Sequence, residues 1–127
     1  MPMERDGSGL PGLDVEVCED GHGVLLLRLR GEIDLLTAPI LDRSLTSLAE
    51  RDGATQVVAD LSGVSFVGIV GVETLGRHAM RLSEEGRRLV VVSPSALTRR
   101  VIGLLGLDEH LGAARSEPSP DGISSSV

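Results

Sequence analysis

Acids, histidines and the single cysteine are the side chains of this sequence that could do chemistry, and none of them is spaced for catalysis or metal binding. The three histidines, at positions 22, 78 and 110, lack the paired spacing of a metal site, and Cys18 has no partner cysteine. His78 is expected on a helix surface. No nucleophile elbow, phosphate-binding loop or Ser/His/Asp set is visible. We therefore expect neither enzymatic activity nor a bound cofactor or metal.

Two acids, Glu32 and Asp34, stand in the segment RGEIDLLTAP. A carboxylate pair for acid–base work needs a cleft and a partner across it, and the sequence shows neither. Two interpretations of Asp34 stay open. It either turns the loop ahead of a helix that Thr37 caps, or it is an exposed acid that contacts a cationic partner.

A glycine junction divides the stretch ADLSGVSFVGIVGVETLGRHA, which runs from Ala59 to Ala79. The pattern predicts a buried strand that breaks and restarts as a helix, and free N–H groups at such a helix start can attract an anion. The glycines at 68, 71 and 76 do not have the spacing of a dinucleotide-binding motif. The junction itself, Gly68-Ile69-Val70-Gly71, carries no hydroxyl, thiol, acid or base.

The composition predicts one small layered α/β domain that does not bind nucleic acid. The chain has 127 residues with one Phe and no Trp or Tyr, so aliphatic residues must build the core. Its net charge is −7, and its 12 cations, all Arg, are scattered without a basic stripe or an aromatic platform for bases. Because no stretch resembles a signal peptide or a membrane span, we expect a cytoplasmic protein without membrane contact.

The hydrophobic pattern predicts the element order β-β-α-β-α-β-α-(β), with the optional last strand in DEHLGAARS. LDVEVCE and VLLLRLRG alternate between apolar and charged residues around the turn DGHG, which indicates an antiparallel hairpin with one wet face. Strands QVVADL and RRLVVVS follow, the second apolar enough for burial on both faces. The predicted helix stripes are Leu41, Leu45 and Leu48; Val72, Leu75, Ala79 and Leu82; and, after Pro94 opens the third helix, Leu97, Val101 and Leu104.

This order implies a mixed sheet of four to five strands with three or more helices mainly on one face. Residues 1–12 and 115–127 are rich in Gly, Pro, Ser and acids and are expected to be disordered. The predicted domain spans residues 13–114.

Three blocks of the sequence resemble the STAS domain family, specifically the small bacterial anti-sigma factor antagonists. In chain order they are LRGEIDLLTAPIL, VVADLSGVSFVGIVGVETL and VVVSPSALTRRVIGLLGLDEHL. They look like the family's strand-loop-helix start, its central strand with the phosphorylation loop, and its closing strand and helix. The resemblance covers residues 13–114 and implies a sheet with helices on one side.

The resemblance also implies a partner. Members of the family bind an anti-sigma factor, often a serine kinase related to histidine-kinase ATPase domains, and thereby free a sigma factor. The kinase inactivates its antagonist by phosphorylating one serine at the N-terminus of the second helix.

The sequence departs from the family at that serine. The family usually reads Asp-Ser-Ser-Gly, whereas alignment on Phe66 and Gly71 gives Gly68, Ile69, Val70 and Gly71 here. Val70 takes the place of the phosphate acceptor and has no oxygen to modify. Three interpretations of Ile69 and Val70 stay open: inward packing, an apolar docking patch, or a remodelled ligand site. The nearby hydroxyls are those of Ser62, Ser65 and Thr74.

We expect a non-catalytic protein-interaction module that binds an anti-sigma factor, a histidine-kinase-like ATPase or serine kinase, without phosphorylation control. Glu73 and Arg77 are also spaced for a surface ion pair. The alternatives are a nucleotide- or small-molecule-binding STAS sensor and a STAS subunit of a larger transport or stress-signalling complex, and a homodimer stays open. The expected binding residues are Asp34, Leu35, Leu36, Thr37, Gly68, Ile69, Val70, Gly71, Glu73 and Arg77.

Overall fold

A computed structural model describes residues 4–5 and 12–112 and shows a mixed sheet with helices on one face. The described strands follow the order β1-β2-β3-β4-β5; the first two pairs are antiparallel and the last two parallel. The strands are β1 Glu4–Arg5, β2 Leu13–Glu19, β3 Val24–Ile33, β4 Gln56–Val67 and β5 Arg88–Val92. The helices are α1 Ala38–Ala49, α2 Ile69–Glu84, α3 Ala96–Leu104 and α4 Asp108–Leu111. The predicted fold class is confirmed.

One face of the sheet carries the core, because the register aligns the apolar residues of neighbouring strands. α1 and α2 pack on this face and cover it. One buried row across the sheet consists of Val17, Leu27, Ala59 and Val91. The adjoining row on the opposite face is half-exposed and consists of Glu16, Arg28, Asp60 and Val92. The hairpin therefore has the wet face that its alternation predicts.

The prediction that β5 is buried on both faces is wrong. Leu89 and Val91 are fully buried, but Val90 and Val92 on the other face are half-exposed. Within the described sheet β5 is an edge strand, and the helices cover one face of it. Its unbroken apolar run matches that of a two-sided strand, so sequence pattern alone cannot separate the two cases.

The third helix begins after a different residue than predicted, and it turns a different face to the core. Ser95, not Pro94, opens α3, since the Ser95 hydroxyl oxygen accepts the N–H of Thr98 at 3.1 Å. Thr98 and Ile102 are buried, whereas Leu97 is 61% exposed. Two apolar stripes run side by side along this short helix, and the helix is turned so that the stripe with a threonine faces the core.

The optional last strand is also wrong over its described part, because Asp108–Leu111 forms α4. Two acids in the first turn favour a helix start, and Gly112 ends the helix in the left-handed region at φ 66°. Residues 113–116 of that prediction lie outside the described residues. In the predicted disordered segment 1–12, the described Glu4–Arg5 pairs with β2; the rest of that segment apart from Gly12, and the predicted tail 115–127, lie outside the described residues.

Candidate protein-binding site

The loop between β3 and α1 is turned by the Asp34 side chain. Its Oδ1 accepts the N–H groups of Leu36 at 3.0 Å and Thr37 at 3.1 Å. The backbone oxygen of Asp34 accepts the N–H of Ala38 at 2.8 Å, which joins the loop to the helix. These contacts agree with the interpretation of Asp34 as the residue that turns the loop.

Thr37 stands at the N-cap position, but its side chain does not cap α1 as predicted. The buried hydroxyl donates to the Glu32 carbonyl oxygen at 2.8 Å and accepts the Asp34 N–H at 2.9 Å. These bonds point back along the chain, so the hydroxyl closes the loop onto the end of β3. Asp34 supplies the bonds to the helix start instead.

The closed loop leaves two leucines in solvent. Leu35 is 78% exposed and Leu36 is 86% exposed. Isolated surface leucines are ordinary, but two adjacent ones at the tip of a tightly bonded loop form an apolar surface that folding does not bury.

The glycine junction brings α2 to the same end of the sheet. The Gly68 N–H donates to the Ile33 carbonyl at 2.8 Å, which joins the carboxyl ends of the parallel strands β3 and β4. The Gly68 carbonyl then accepts the N–H groups of Gly71 at 2.9 Å and Val72 at 3.2 Å, which starts the helix. Gly71 is buried against Ile33, and a Cβ at this position would lie 2.6 Å from Ile33 Cγ2.

The junction side chains do not both pack inward. Ile69 is 60% exposed and Val70 is half-exposed, at the first turn of α2. Beside them Phe66 is 47% exposed. Phe66 is absent from the predicted site, although an aromatic residue at the end of a strand, the only one in the chain, is a signal that could have identified it.

An open cleft of about 610 Å³ lies between the loop and the start of α2. We call the four exposed side chains Leu35, Leu36, Phe66 and Ile69 the apolar patch. Of the predicted binding residues, Thr37 and Gly71 are buried, and they and Arg77 lie outside the lining of the cleft. The cleft is lined by Asp34, Leu35, Leu36, Phe66, Gly68, Ile69, Val70 and Glu73.

Arg77 pairs with α1 rather than with Glu73. Its Nη2 lies 3.4 Å from Oδ1 of Asp42, and His78 Nε2 lies 2.7 Å from the same oxygen. His78 is 4% exposed, so its expected place on a helix surface is wrong; the histidine lies between the helices. Its hydrogen bond, helped by the charges of His78, Arg77 and Arg81, holds the pKa of Asp42 below its ordinary value.

The described residues contain neither a metal-ligand cluster nor a membrane-spanning helix. Within 4–5 and 12–112 no three His, Cys, Asp or Glu side chains group as metal ligands would. The same part of the chain holds no helix with the length and apolarity needed to cross a bilayer.

Comparisons with known proteins find anti-sigma factor antagonists among the relatives of this chain. The chain is 38% identical over 90 residues to the anti-sigma-F factor antagonist RsfB of Mycobacterium tuberculosis, an alignment that covers 71% of this chain and 72% of RsfB. An anti-sigma factor antagonist from Mycobacterium paratuberculosis has a similar structure, with a TM-score of 0.70 and 34% identity over 87% of this chain and 89% of that one. The unphosphorylated form of the anti-sigma factor antagonist SpoIIAA of Bacillus shares the fold, with a TM-score of 0.61 and 18% identity over 71% and 82% of the two chains.

The family profile described as STAS domain matches residues 17–119. Together with the relative that is 38% identical over most of both chains, this match confirms the resemblance that the three sequence blocks carry. The chain belongs to the STAS domain family.

Proposed function

We propose that this protein is an anti-sigma factor antagonist that binds an anti-sigma factor through the apolar patch, without phosphorylation control at position 70. The two mycobacterial relatives bear the name of anti-sigma factor antagonists. The partner in this proposal is an anti-sigma factor of the histidine-kinase-like ATPase or serine kinase type.

The observation that carries the proposal is the exposure of the apolar patch. Its four side chains lie around one cleft, on the loop of the segment that resembles the family's strand-loop-helix start and on the junction that resembles its phosphorylation loop. Full burial of an aliphatic or aromatic side chain of this size contributes about 1.5–3 kcal/mol. A partner that covers the patch therefore has enough apolar surface to bind.

The proposed lack of phosphorylation control rests on Val70. A phosphate would add about −1.5 to −2 charges, and placing it in an apolar interface would oppose binding. The half-exposed Val70 cannot accept one. The nearest helix hydroxyl, Thr74, is buried and donates to the Val70 carbonyl oxygen at 2.8 Å, so it is not presented to a kinase.

A titration calorimetry experiment with the anti-sigma-F factor of Mycobacterium tuberculosis tests the binding proposal. We expect wild type to bind and Ile69→Asp to weaken binding by at least about tenfold, because a carboxylate in the patch must be desolvated. Leu97→Asp is the matched control, since Leu97 on α3 is 61% exposed against 60% for Ile69 and lies outside the cleft. Equal binding by Ile69→Asp and wild type would contradict the proposal.

Intact-mass measurement after incubation with the anti-sigma factor and ATP tests the phosphorylation proposal separately. Wild type is expected to gain no phosphate, and Val70→Ser is expected to gain one, because it restores a hydroxyl at the first turn of α2. A wild-type chain that gains a stoichiometric phosphate would contradict the absence of control.

A further inference from the structure

Among the residues that the structure describes, the carboxylate of Glu73 at the edge of the cleft has no partner. Glu73 is exposed and lines the cleft beside the apolar patch. Within residues 4–5 and 12–112, no hydrogen bond or ion pair involves its side chain. It is therefore available to a partner.

Arg77 is the residue that would neutralise Glu73, and α1 holds it elsewhere. Glu73 and Arg77 are spaced i, i+4 with the acid first, the favourable order for a helical ion pair. Instead, Arg77 Nη2 lies 3.4 Å from Asp42 Oδ1, and His78 Nε2 fixes that oxygen at 2.7 Å. The Asp42–His78 contact thus directs Arg77 towards α1 and leaves Glu73 without its helix neighbour.

The other carboxylate at the cleft is that of Asp34, and one of its oxygens already holds the loop. Asp34 Oδ1 accepts two backbone N–H groups and lies 3.2 Å from Thr37 Oγ1. A partner that took this oxygen would have to displace bonds that hold the loop. Among the described residues that line the cleft, Glu73 is therefore the one whose carboxylate has neither oxygen engaged, and it is free to select a partner.

We propose that Glu73 is a specificity-determining residue, and that the partner presents a lysine or arginine beside the apolar side chain that enters the cleft. This inference rests on the proposed function, because the anti-sigma factor is the partner in question. A cation at that position would pair with Glu73 in a contact from which the apolar patch excludes water, where charge pairs discriminate strongly. A partner without one would leave the carboxylate desolvated and unpaired.

Binding of the anti-sigma-F factor of Mycobacterium tuberculosis, measured by calorimetry at several salt concentrations, tests Glu73. Glu73→Gln is expected to weaken binding by about tenfold and to reduce its salt dependence. Glu84→Gln, an exposed acid at the far end of α2, is the matched control and is expected to bind as wild type does. If wild type binds and Glu73→Gln binds equally well, the inference is overturned while the proposed function stands.

A double-mutant cycle tests why Glu73 is free. Asp42→Asn releases Arg77, which then can pair with Glu73, so we expect it to weaken binding several-fold. In an Arg77→Ala background, which has no arginine at position 77 to pair with Glu73, Asp42→Asn is expected to have no effect. An equal loss of affinity in both backgrounds would overturn the role of Asp42 in freeing Glu73, since it would mean that Asp42 acts through the fold alone. Failure of wild type to bind the anti-sigma factor would overturn the inference and the proposed function together.

Discussion

Gly71 shows how closely the first turn of α2 approaches the sheet. Its missing side chain leaves room for Ile33, whose Cγ2 would lie 2.6 Å from a Cβ at this position, and for Val67, whose Cγ1 would lie 3.0 Å away. Ile33 is buried and β-branched, so it cannot turn aside easily. A Cβ at Gly68 would lie 3.5 Å or more from its neighbours, an ordinary contact. The second glycine of the junction, not the first, is required by packing.

Gly71→Ala is expected to lower the free energy of unfolding by about 1–3 kcal/mol, the cost of overpacking a core. Gly103→Ala in α3 is the matched control. A Cβ there meets nothing closer than an Asp108 carboxylate oxygen at 3.6 Å, so this variant is expected to gain about 0.4–1 kcal/mol. Urea denaturation of both variants measures the difference, and equal stabilities would show that α2 can move away from Ile33.

At the scale of elements, one polar contact ties α2 to α1. The carboxylate of Asp42 on α1 contacts both Arg77 and the buried His78, which lie 35 and 36 residues further along the chain. The first turn of α2 borders the cleft, so this contact positions a helix that carries part of the binding surface.

The lowered pKa of Asp42 predicts a pH dependence of stability with a definite sign. The pKa of Asp42 in the folded protein lies below its ordinary value of 3.8. The interaction therefore stabilises the fold above pH 3.8, and this stabilisation is lost as the pH falls through the pKa of the folded state. Asp42→Asn is therefore expected to be less stable than wild type at about pH 6, with a smaller difference at about pH 3.

Chemical denaturation at both pH values measures this prediction. Asp52→Asn, in the exposed turn after α1, serves as a control for loss of a carboxylate without such partners. A stability difference between wild type and Asp42→Asn that stays constant across the range would contradict the assigned role.

For the whole molecule, the dominant fact is that the helices cover one face of the sheet. Leu27 is completely buried on that face, and its neighbour Leu26 lies half-exposed on the other. The same residue type in consecutive positions of one strand therefore contributes differently to folding.

Leu27→Ala is expected to lower the free energy of unfolding by about 2–5 kcal/mol, because it removes buried methyl groups and leaves a cavity. Leu26→Ala, the matched control, is expected to cost less than half as much. Thermal or urea unfolding distinguishes them. Equal losses would mean that something covers the second face.

Much of the fold follows from local pattern. The alternation in β2 and β3 predicted which side chains face the core, and the stripe of α2, from Val72 to Leu82, is buried as predicted. The hydrophobic pattern failed to predict burial where two arrangements fit the same residues equally well. The apolar run of β5 suits either a covered or a one-sided strand, and α3 has two adjacent stripes from which only packing selects one.

The sequence by itself determined the order of the elements from β2 to α3, the family, and the absence of a hydroxyl at position 70, because all of these are read from residue types along the chain. Only the tertiary structure decided that Leu35 and Leu36 meet Phe66 and Ile69 around one cleft, and that Arg77 turns from Glu73 to Asp42. The physical reason is distance along the chain. Parallel pairing of β3 with β4 joins two segments that are more than 30 residues apart, and local periodicity carries no information on such contacts.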